Sequence, residues 1–490
     1  MKKQIQFVVL SAVALVSSVA VADLKDAYFQ RYLNRLEKQQ QKQHSLMTRM
    51  MELLTLADPA ALPASPGTPT IATFDQLLNY ADPNDTRTFQ QRYFVNSDYA
   101  SGPDAPVFFY VCGEAACDGW PSLIATYAQQ FKGHLVALEH RYYGKSYPFP
   151  SFTTENLKYL STDYALRDLD RFEQYARATL GLTGKWISIG GSYPGSLSAY
   201  YREKYPQNVV GALASSAPVH AQENFEQYDL HVATVAGPDC AVLMRKVVKQ
   251  AQDAYQSGDT AGFNAIKTEF AASDVADPLD FLYLMADVGA TAIQYGGHDE
   301  FCQLLQQSDP MLGYAQYAKE VYTMWNVNAV QFSNQGATDL DASSYENDIG
   351  SRAWFYQSCM EYGYWQNAYH DPAISVRSPL INPAYHRQLC NRLFGIQVGV
   401  DTDVINTSLY QPLLSPTTAS AILFTDGSED PWALLSITAT NGNAVNPATP
   451  AVMIDQHAHC DDLGSPKDGD NDSLKGARAE FVDLVTGWLK

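Results

Sequence analysis

Short apolar runs recur along the middle of the chain, separated by segments with helical periodicity. Residues 107–111, 135–139 and 209–213 form such runs, without the polar alternation of a half-exposed strand. Continuous apolar strands are typical of a sheet that is covered on both faces. A helical pattern lies at 163–180, and strands that alternate with helices favour a mostly parallel sheet. The pattern therefore predicts an α/β fold.

The alternation is interrupted in the second half of the chain. Helical patterns dominate there, at residues 241–255, 260–270, 278–286 and 311–322. Two strand-like runs and a last amphipathic segment follow, at 421–425, 451–454 and 481–488. We therefore expect a helical cap at 219–382, inserted into a core made of 74–218 and 383–490.

The first 22 residues have the layout of a secretory signal peptide. Two lysines precede an apolar stretch, which ends before the cleavage pattern Ala20-Val21-Ala22. The following part, 23–73, combines an amphipathic helix of unassigned role at 24–56 with a linker rich in Pro and Ala. The sequence therefore predicts a secreted or periplasmic product.

The 490-residue chain is acidic, with a formal net charge of -20 and a pI near 4.8. This charge balance lacks the basic footprint of a nucleic-acid-binding protein. Beyond the signal, no run is long and apolar enough to cross a bilayer. We therefore expect no nucleic-acid partner and no membrane attachment once the signal is removed.

Residues 186–205 combine a short apolar strand, a tight turn and a helical pattern. The turn Gly190-Gly191-Ser192-Tyr193 places Ser192 between strand and helix, as in the nucleophile elbow of an α/β-hydrolase. Pro194 stands where the usual G-x-S-x-G pattern has its second glycine, and Gly195 comes one residue later. The stretch therefore predicts a serine nucleophile despite this departure.

A serine nucleophile needs a base and an acid, which follow it along the chain in this fold. The segment after 421–425 offers three acids, and the segment after 451–454 offers two histidines; the candidates are Asp426, Glu429, Asp430, His457 and His459. Spacing alone leaves these alternatives open.

The sequence offers candidates for two further kinds of site, one that stabilises the oxyanion formed when serine attacks a carbonyl group and one that binds a metal. The backbone N–H groups of Tyr193 and of the loop at Gly113 are candidates for an oxyanion hole. The segment 457–461 contains two histidines, a cysteine and an aspartate, but it lacks the usual spacing of zinc ligands. We therefore expect neither a metal nor a cofactor.

Motifs spread from residue 74 nearly to the end of the chain carry a further signal. They are Thr88-Phe-Gln-Gln-Arg-Tyr, Gly113-Glu, Glu139-His-Arg-Tyr-Tyr-Gly-Lys-Ser, Gly190-Gly-Ser-Tyr, Gly211-Ala-Leu-Ala-Ser-Ser-Ala-Pro, Cys359-Met-Glu-Tyr-Gly, Asp426-Gly-Ser-Glu-Asp-Pro-Trp and Ala458-His-Cys-Asp-Asp-Leu. Together they resemble the prolyl carboxypeptidase and dipeptidyl peptidase II family of serine peptidases. The resemblance implies an α/β-hydrolase with a mostly parallel sheet and an inserted helical cap, and it assigns Ser192, Asp430 and His459 as the catalytic residues.

The resemblance also bears on the seven cysteines of the chain. It implies a disulfide between Cys359 and Cys390 after the cap. A pair within the cap and a local pair are then expected, and one thiol is left over; these are Cys240 with Cys302, Cys112 with Cys117, and Cys460.

Members of this family are exopeptidases that prefer proline next to the scissile bond. By similarity, Trp432 and Tyr364 are candidates to line the proline pocket. Glu114 and Glu361 are candidates for binding a substrate ammonium, and Arg141 is a candidate for binding a substrate carboxylate. The residues do not decide which end of the peptide is recognised.

Two other functions remain as alternatives to an exopeptidase. An esterase or lipase would use the same elbow and the same chain order. A non-catalytic binding protein with this fold is the third interpretation, which Pro194 alone supports. The expected partner is a peptide substrate, and a homodimer is one candidate assembly.

Overall fold

A computed structural model describes residues 67–347, 350–439 and 445–490. The predicted signal peptide at 1–22, the predicted helix at 24–56 and most of the linker that follows it lie outside these residues.

The centre of the structure is an eight-stranded sheet. The strands of the chain are β1 Thr70–Leu77, β2 Thr88–Asn96, β3 Val107–Val111, β4 His134–Leu138, β5 Trp186–Gly191, β6 Val209–Ser215, β7 Gln222–Asn224, β8 Gly363–Trp365, β9 Ile422–Gly427 and β10 Ala451–Ile454. The sheet has the order β1-β2-β4-β3-β5-β6-β9-β10. β1 and β2 pair antiparallel, β2 also pairs antiparallel with β4, and every later pair is parallel. β7 and β8 form a separate parallel pair.

Helices lie on both faces of this sheet and in a long segment between β7 and β9. The longer ones are α1 Ser122–Phe131, α2 Thr162–Tyr175, α3 Tyr193–Lys204, α4 Gln227–Ser257, α5 Thr260–Glu269, α6 Pro278–Gln294, α7 His298–Leu305, α8 Pro310–Met324, α9 Ser351–Gln357, α10 Pro383–Phe394 and α11 Asp472–Trp488. Shorter α-helical turns lie at Thr154–Leu157, Ala329–Phe332, Asp403–Ile405 and Gln411–Leu413.

Successive side chains of the parallel strands point to opposite helical layers. On one face, Phe108 packs in a buried cluster with α1 and α11. On the other face, its neighbour Phe109 packs against Phe172 of α2, with ring centroids 5.7 Å apart. This explains why β3 and β4 are apolar at almost every position, because both of their faces are covered. The strand order and the two helical layers are those of an α/β-hydrolase, as the sequence predicts.

Several helices are longer than the pattern predicts. The predicted helix at 241–255 is the second half of α4, which is interrupted by Gly237 at φ +77° and by Pro238. The predicted helix at 278–286 continues to Gln294 as α6, and the last helix begins at Asp472 instead of 481. Because α6 is buried on most of its circumference, its sequence lacks the polar stripe that marks an amphipathic helix.

Three disulfides cross-link the described residues. Cys112–Cys117 closes the loop after β3, Cys240–Cys302 joins α4 to α7, and Cys359–Cys390 joins the segment after α9 to α10. Cys460 is a free thiol. Cys359–Cys390 is the disulfide that the family resemblance implies, and the other two pairs and the free thiol are those expected beside it. In the part of the chain that the structure describes, no helix has both the length and the apolar character needed to cross a membrane.

Candidate active site

Ser192 occupies a strained turn between β5 and α3. Its backbone has φ +65° and ψ −135°, a region that residues with a side chain rarely adopt. The Ser192 N–H donates a hydrogen bond to the carbonyl oxygen of Ser215 at the end of β6, at 2.9 Å. The turn therefore presents the half-buried Ser192 at the carboxyl edge of the parallel strands, where ligands of open α/β sheets bind.

Gly195 provides the close approach that Pro194 cannot. A Cβ atom added to Gly195 would lie 2.7 Å from the carbonyl oxygen of Ser215 and 3.1 Å from the Cβ of Ala217. Pro194 lies in the first turn of α3, where its missing N–H breaks no helical bond. A Cβ on Gly113 would lie 2.2 Å from the Cγ of Pro194, so the loop after β3 packs directly on the elbow.

Asp430 and His459 form a buried pair. The Nδ1 of His459 lies 2.7 Å from Oδ2 of Asp430, and both side chains are almost completely shielded from solvent. The other carboxylate oxygen of Asp430 accepts a hydrogen bond from the N–H of Trp432 at 2.9 Å. Burial opposes a charge on the imidazole, but Asp430 outweighs it and raises the pKa of His459 well above its ordinary value.

The loop that carries His459 is held by the end of α6. The backbone N–H of His459 donates to the carbonyl oxygen of Gln294 at 2.9 Å. The side chain of Gln294 accepts hydrogen bonds from the indole of Trp432 at 2.9 Å and from the hydroxyl of Tyr228 at 2.6 Å. The rings of Tyr295 and His459 are nearly perpendicular and in T-shaped contact, with centroids 5.9 Å apart. Sequence reasoning missed Gln294 and Tyr295, since both lie beyond the predicted end of this helix.

The other candidate acids and the other candidate histidine have different partners. Asp426 accepts a hydrogen bond from the hydroxyl of Ser436 at 2.8 Å, and its Oδ1 has no hydrogen-bond partner among the described residues. Burial and the neighbouring charge of Asp430 raise the pKa of Asp426 well above its ordinary value.

The side chains of Glu429 and His457 lie next to residues that are not among these candidates. Glu429 lies 3.7 Å from Nδ1 of His298, and Nδ1 of His457 lies 3.1 Å from Oδ2 of Asp461. Of the alternatives that spacing left open, the structure thus joins the aspartate and the histidine that the resemblance selects.

The two residues with candidate oxyanion N–H groups lie on either side of Pro194. Tyr193 is the first residue of α3, and Gly113 follows β3. The phenol of Tyr193 is buried, accepts a hydrogen bond from Nε2 of Gln357 at 2.8 Å and lies 3.0 Å from Nε2 of His140. This side-chain network holds the backbone of the residue that follows Ser192.

Aromatic rings pack against one another in a continuous row from the elbow to the loop of Asp430. This aromatic wall consists of Tyr193, Trp354, Tyr362, Tyr364 and Trp432. Ring centroids are 5.4 Å apart from Tyr193 to Trp354, 6.3 Å from Trp354 to Tyr362, 5.0 Å from Tyr362 to Tyr364 and 5.4 Å from Tyr364 to Trp432. Trp354 is half-buried and the others are buried. Tyr364 and Trp432 were predicted for a substrate pocket. Tyr362 lies in the motif Cys359-Met-Glu-Tyr-Gly but was not predicted for the pocket, and Trp354 lies in none of the motifs.

Two further predicted binding residues are engaged within the fold. The carboxylate of Glu361 accepts hydrogen bonds from the N–H and the hydroxyl of Thr162, at 3.1 and 2.9 Å, and so caps the start of α2. Burial raises the pKa of Glu361 to about 7. Arg141 is completely buried and pairs with Asp168 at 2.6 Å. These contacts indicate structural roles for Glu361 and Arg141, because neither charge is left for a substrate.

Glu114 lies in the loop after β3 and is half-buried. It lines a cavity of about 410 Å³ that Gly113 also lines, together with Gly191 and Pro194, which flank Ser192 along the chain. Burial raises the pKa of Glu114, and the nearby His459 partly offsets this effect.

Comparisons with known proteins extend the picture from the site to the whole chain. The model of the serine carboxypeptidase S28 family matches residues 76–481. The probable serine protease EDA2 of Arabidopsis thaliana is 38% identical over 376 residues, which are 73% of this chain and 74% of that protein. The thymus-specific serine protease of Mus musculus is 30% identical, with 85% and 87% covered. The probable extracellular serine carboxypeptidase of Arthroderma benhamiae is 27% identical, with 88% and 68% covered. The chain therefore belongs to the S28 family of serine peptidases.

Proposed function

We propose that the protein is an exported serine exopeptidase that cleaves next to proline, with Ser192 as nucleophile, His459 as general base and Asp430 as the group that orients His459. The observation that carries the proposal is the buried 2.7 Å hydrogen bond between His459 and Asp430, in a family whose members are serine peptidases. A histidine held in this way keeps one tautomer, which leaves Nε2 free to accept a proton.

The proposed reaction proceeds through an acyl-enzyme. His459 takes the proton of the Ser192 hydroxyl while the oxygen attacks the scissile carbonyl carbon. Backbone N–H groups of Tyr193 and of the loop at Gly113 stabilise the resulting oxyanion. His459 then gives the proton to the leaving amine, and water releases the acyl group by the same steps in reverse order.

The aromatic wall supports proline as the residue next to the scissile bond. Proline presents three ring methylene groups and no N–H, so a flat apolar surface contacts it without leaving a donor unpaired. Burying these groups contributes about 2 kcal/mol at roughly 0.8 kcal/mol per CH₂. Replacement of this proline by alanine should therefore lower kcat/KM about 10- to 30-fold.

The Ser192→Ala variant tests the chemistry. It should lose hydrolysis of a proline peptide by on the order of 10⁶-fold in kcat, because no other group in the site is proposed to attack the carbonyl. Ser196→Ala is a matched control on the same helix, since the Ser196 hydroxyl is buried without a hydrogen-bond partner among the described residues. Circular dichroism checks that both variants fold. Residual turnover above about a thousandth of the wild-type rate in Ser192→Ala would refute the role of Ser192.

Substrate class is tested by comparing Xaa-Pro amides with short acyl esters. A peptidase with the proposed pocket should discriminate strongly between proline and alanine in amides. Fast hydrolysis of esters together with no amide hydrolysis would favour the esterase alternative.

Export is supported by the three disulfides and by the N-terminal sequence pattern. N-terminal sequencing of the protein from the producing cell should start at Asp23, directly after Ala20-Val21-Ala22. A mature chain that still begins at Met1 would contradict cleavage of the proposed signal.

A further inference from the structure

The loop after β3 encloses the cavity of about 410 Å³, which lies beside the elbow. Its lining consists of residues 112–121 together with Tyr110, Gly191 and Pro194. Gly191 directly precedes Ser192, and Pro194 follows it by two residues. A group bound in this loop cavity would therefore lie close to the carbonyl that Ser192 attacks.

The loop is built rigidly. The Cys112–Cys117 disulfide closes it, and the backbone of Cys117 is held at both polar groups. The Cys117 N–H donates to Glu139 at 3.1 Å, and its carbonyl oxygen accepts from Arg92 at 2.7 Å. Arg92 is itself paired with Glu139 at 2.5 Å, so its charge is already compensated.

The charged residues that line the loop cavity are all acidic. They are Glu114, which is half-buried, and Asp118, which is exposed. Among the described residues that line the cavity, none is lysine, arginine or histidine. The cavity is therefore polarised toward a positive ligand.

Within the described part of the chain, no lysine or arginine pairs with the carboxylate of Glu114, and the nearby His459 offsets its charge only in part. The only described group that donates a hydrogen bond to this carboxylate is its own backbone N–H. A carboxylate that is partly removed from water and only partly compensated is destabilised, and a bound cation would reduce that destabilisation.

Two half-buried aromatic residues complete the environment of the carboxylate. Tyr110 and Trp120 line the same cavity, and aromatic rings of this kind attract cations. A carboxylate with aromatic rings around it suits a primary ammonium or a guanidinium group rather than a hydrated metal ion, whose ligands are mainly oxygen atoms.

We propose that the loop cavity is a subsite for a cationic group of the peptide substrate, with the Glu114 carboxylate as the counter-ion. The inference rests on the proposed peptidase function and names a class of substrate for it. Two sources supply this chemistry, the α-ammonium group of a free peptide N-terminus and the side chain of a lysine or arginine near the scissile bond.

The test uses matched peptides with proline at the scissile bond. One pair differs in a free or an acetylated N-terminus, and a second, N-acetylated pair differs in lysine or norleucine beside the proline. In at least one pair the wild type should prefer the cationic member about 10- to 100-fold in kcat/KM, mainly through KM, as expected for a hydrogen bond to a charged group. The pair that shows the preference identifies the source of the cation.

Glu114→Gln keeps the shape of the side chain and removes its charge, so the cationic-to-neutral ratio should fall to nearly one. Glu269→Gln, at an exposed position at the end of α5, is the control for net charge and should keep the wild-type ratio. No cationic preference in the wild type, or an unchanged ratio in Glu114→Gln, would overturn the proposal. An equal loss on both members of a pair would instead assign Glu114 to the chemistry around His459 and would also overturn it.

Binding gives a readout that does not depend on turnover. The uncleaved peptides should bind Ser192→Ala with a 10- to 100-fold difference in Kd between the members of the responsive pair. That difference should vanish in Ser192→Ala/Glu114→Gln, and its persistence there would contradict the subsite. Hydrolysis of the neutral proline peptide by the wild type tests the proposed peptidase function separately, so failure of one can be told from failure of the other.

Discussion

Glu114 and Glu361 look equivalent along the chain and differ completely in the fold. Each follows a motif residue of the family, and each was a candidate for binding a substrate ammonium. In the structure, Glu361 has two donors from Thr162 and caps α2. Among the described residues, Glu114 has no lysine or arginine partner, is compensated only in part by the nearby His459, and lines the loop cavity beside Ser192. The difference teaches that the partners of a buried carboxylate, rather than its burial, indicate whether it is free to bind a ligand.

The same distinction applies to Asp430 and Asp426, four residues apart. Asp430 is hydrogen-bonded to His459, whereas Asp426 is hydrogen-bonded to Ser436 and has a raised pKa. Both are buried. Only the aspartate with an imidazole partner is positioned to act on the proposed base.

The largest expected effect comes from this aspartate pair. Asp430→Asn should lower kcat about 10³- to 10⁴-fold, because the amide favours the wrong tautomer of His459. Asp426→Asn should stay within about threefold of wild type, since an amide resembles the neutral carboxyl group that the environment favours there. Steady-state kinetics on one proline peptide measure both. Equal losses in the two variants would contradict the distinction between the two aspartates.

The second effect separates the two glutamates by substrate preference. Glu361→Gln should keep the ratio of kcat/KM between cationic and neutral peptides, because its carboxylate is engaged by Thr162. Glu114→Gln should lower this ratio about 10- to 100-fold. Measuring both variants on the same peptide pair sharpens the comparison. A loss of preference in Glu361→Gln would show that the two sites are not functionally distinct.

The third effect concerns the free energy of unfolding. Here the substitution of Glu361 should have the larger effect and that of Glu114 the smaller. Glu361→Ala leaves the N–H of Thr162 without its acceptor and should lower the free energy of unfolding by about 1–3 kcal/mol at pH 5. Glu114→Ala removes no hydrogen bond to another residue and should change it by less than about 0.5 kcal/mol. Urea unfolding followed by tryptophan fluorescence measures both values. A larger loss in Glu114→Ala would mean that Glu114 has a structural role.

The last effect is the pH dependence of stability to which the raised pKa of Glu361 contributes. Burial raises its pKa from the ordinary 4.5 to about 7, so between these values the folded chain keeps a proton that the unfolded chain releases. The contribution of this group to stability therefore falls as the pH rises from 4.5 to 7. In Glu361→Gln this fall is absent, and the difference between variant and wild type should change by about 2 to 3 kcal/mol between pH 5 and pH 8. A difference that stays constant over this range would contradict the raised pKa.

Much of the fold follows from local patterns. The apolar runs of β3, β4 and β6 are visible because a strand covered on both faces has no polar alternation. Ser192 is visible because an elbow needs glycine, serine and a helix start in immediate succession. The positions predicted for the ends of the helices were less accurate. The end of α6 at Gln294 was missed because this helix is buried on nearly all sides and shows no amphipathic stripe.

The sequence by itself determined the fold class, the serine and the order in which an acid and a histidine follow it, because these depend on residue types at short spacing. Spacing left Asp426 and Asp430 open and the family resemblance selected Asp430, but only the tertiary structure placed Asp430 against the imidazole of His459. It also assembled the aromatic wall from α3, α9, the segment after α9 and the loop after β9, and it left Glu114 without a lysine or arginine partner among the described residues. The physical reason is that hydrogen bonds, ring contacts and compensation of charge depend on distances across the chain. A local pattern of residues does not contain those distances.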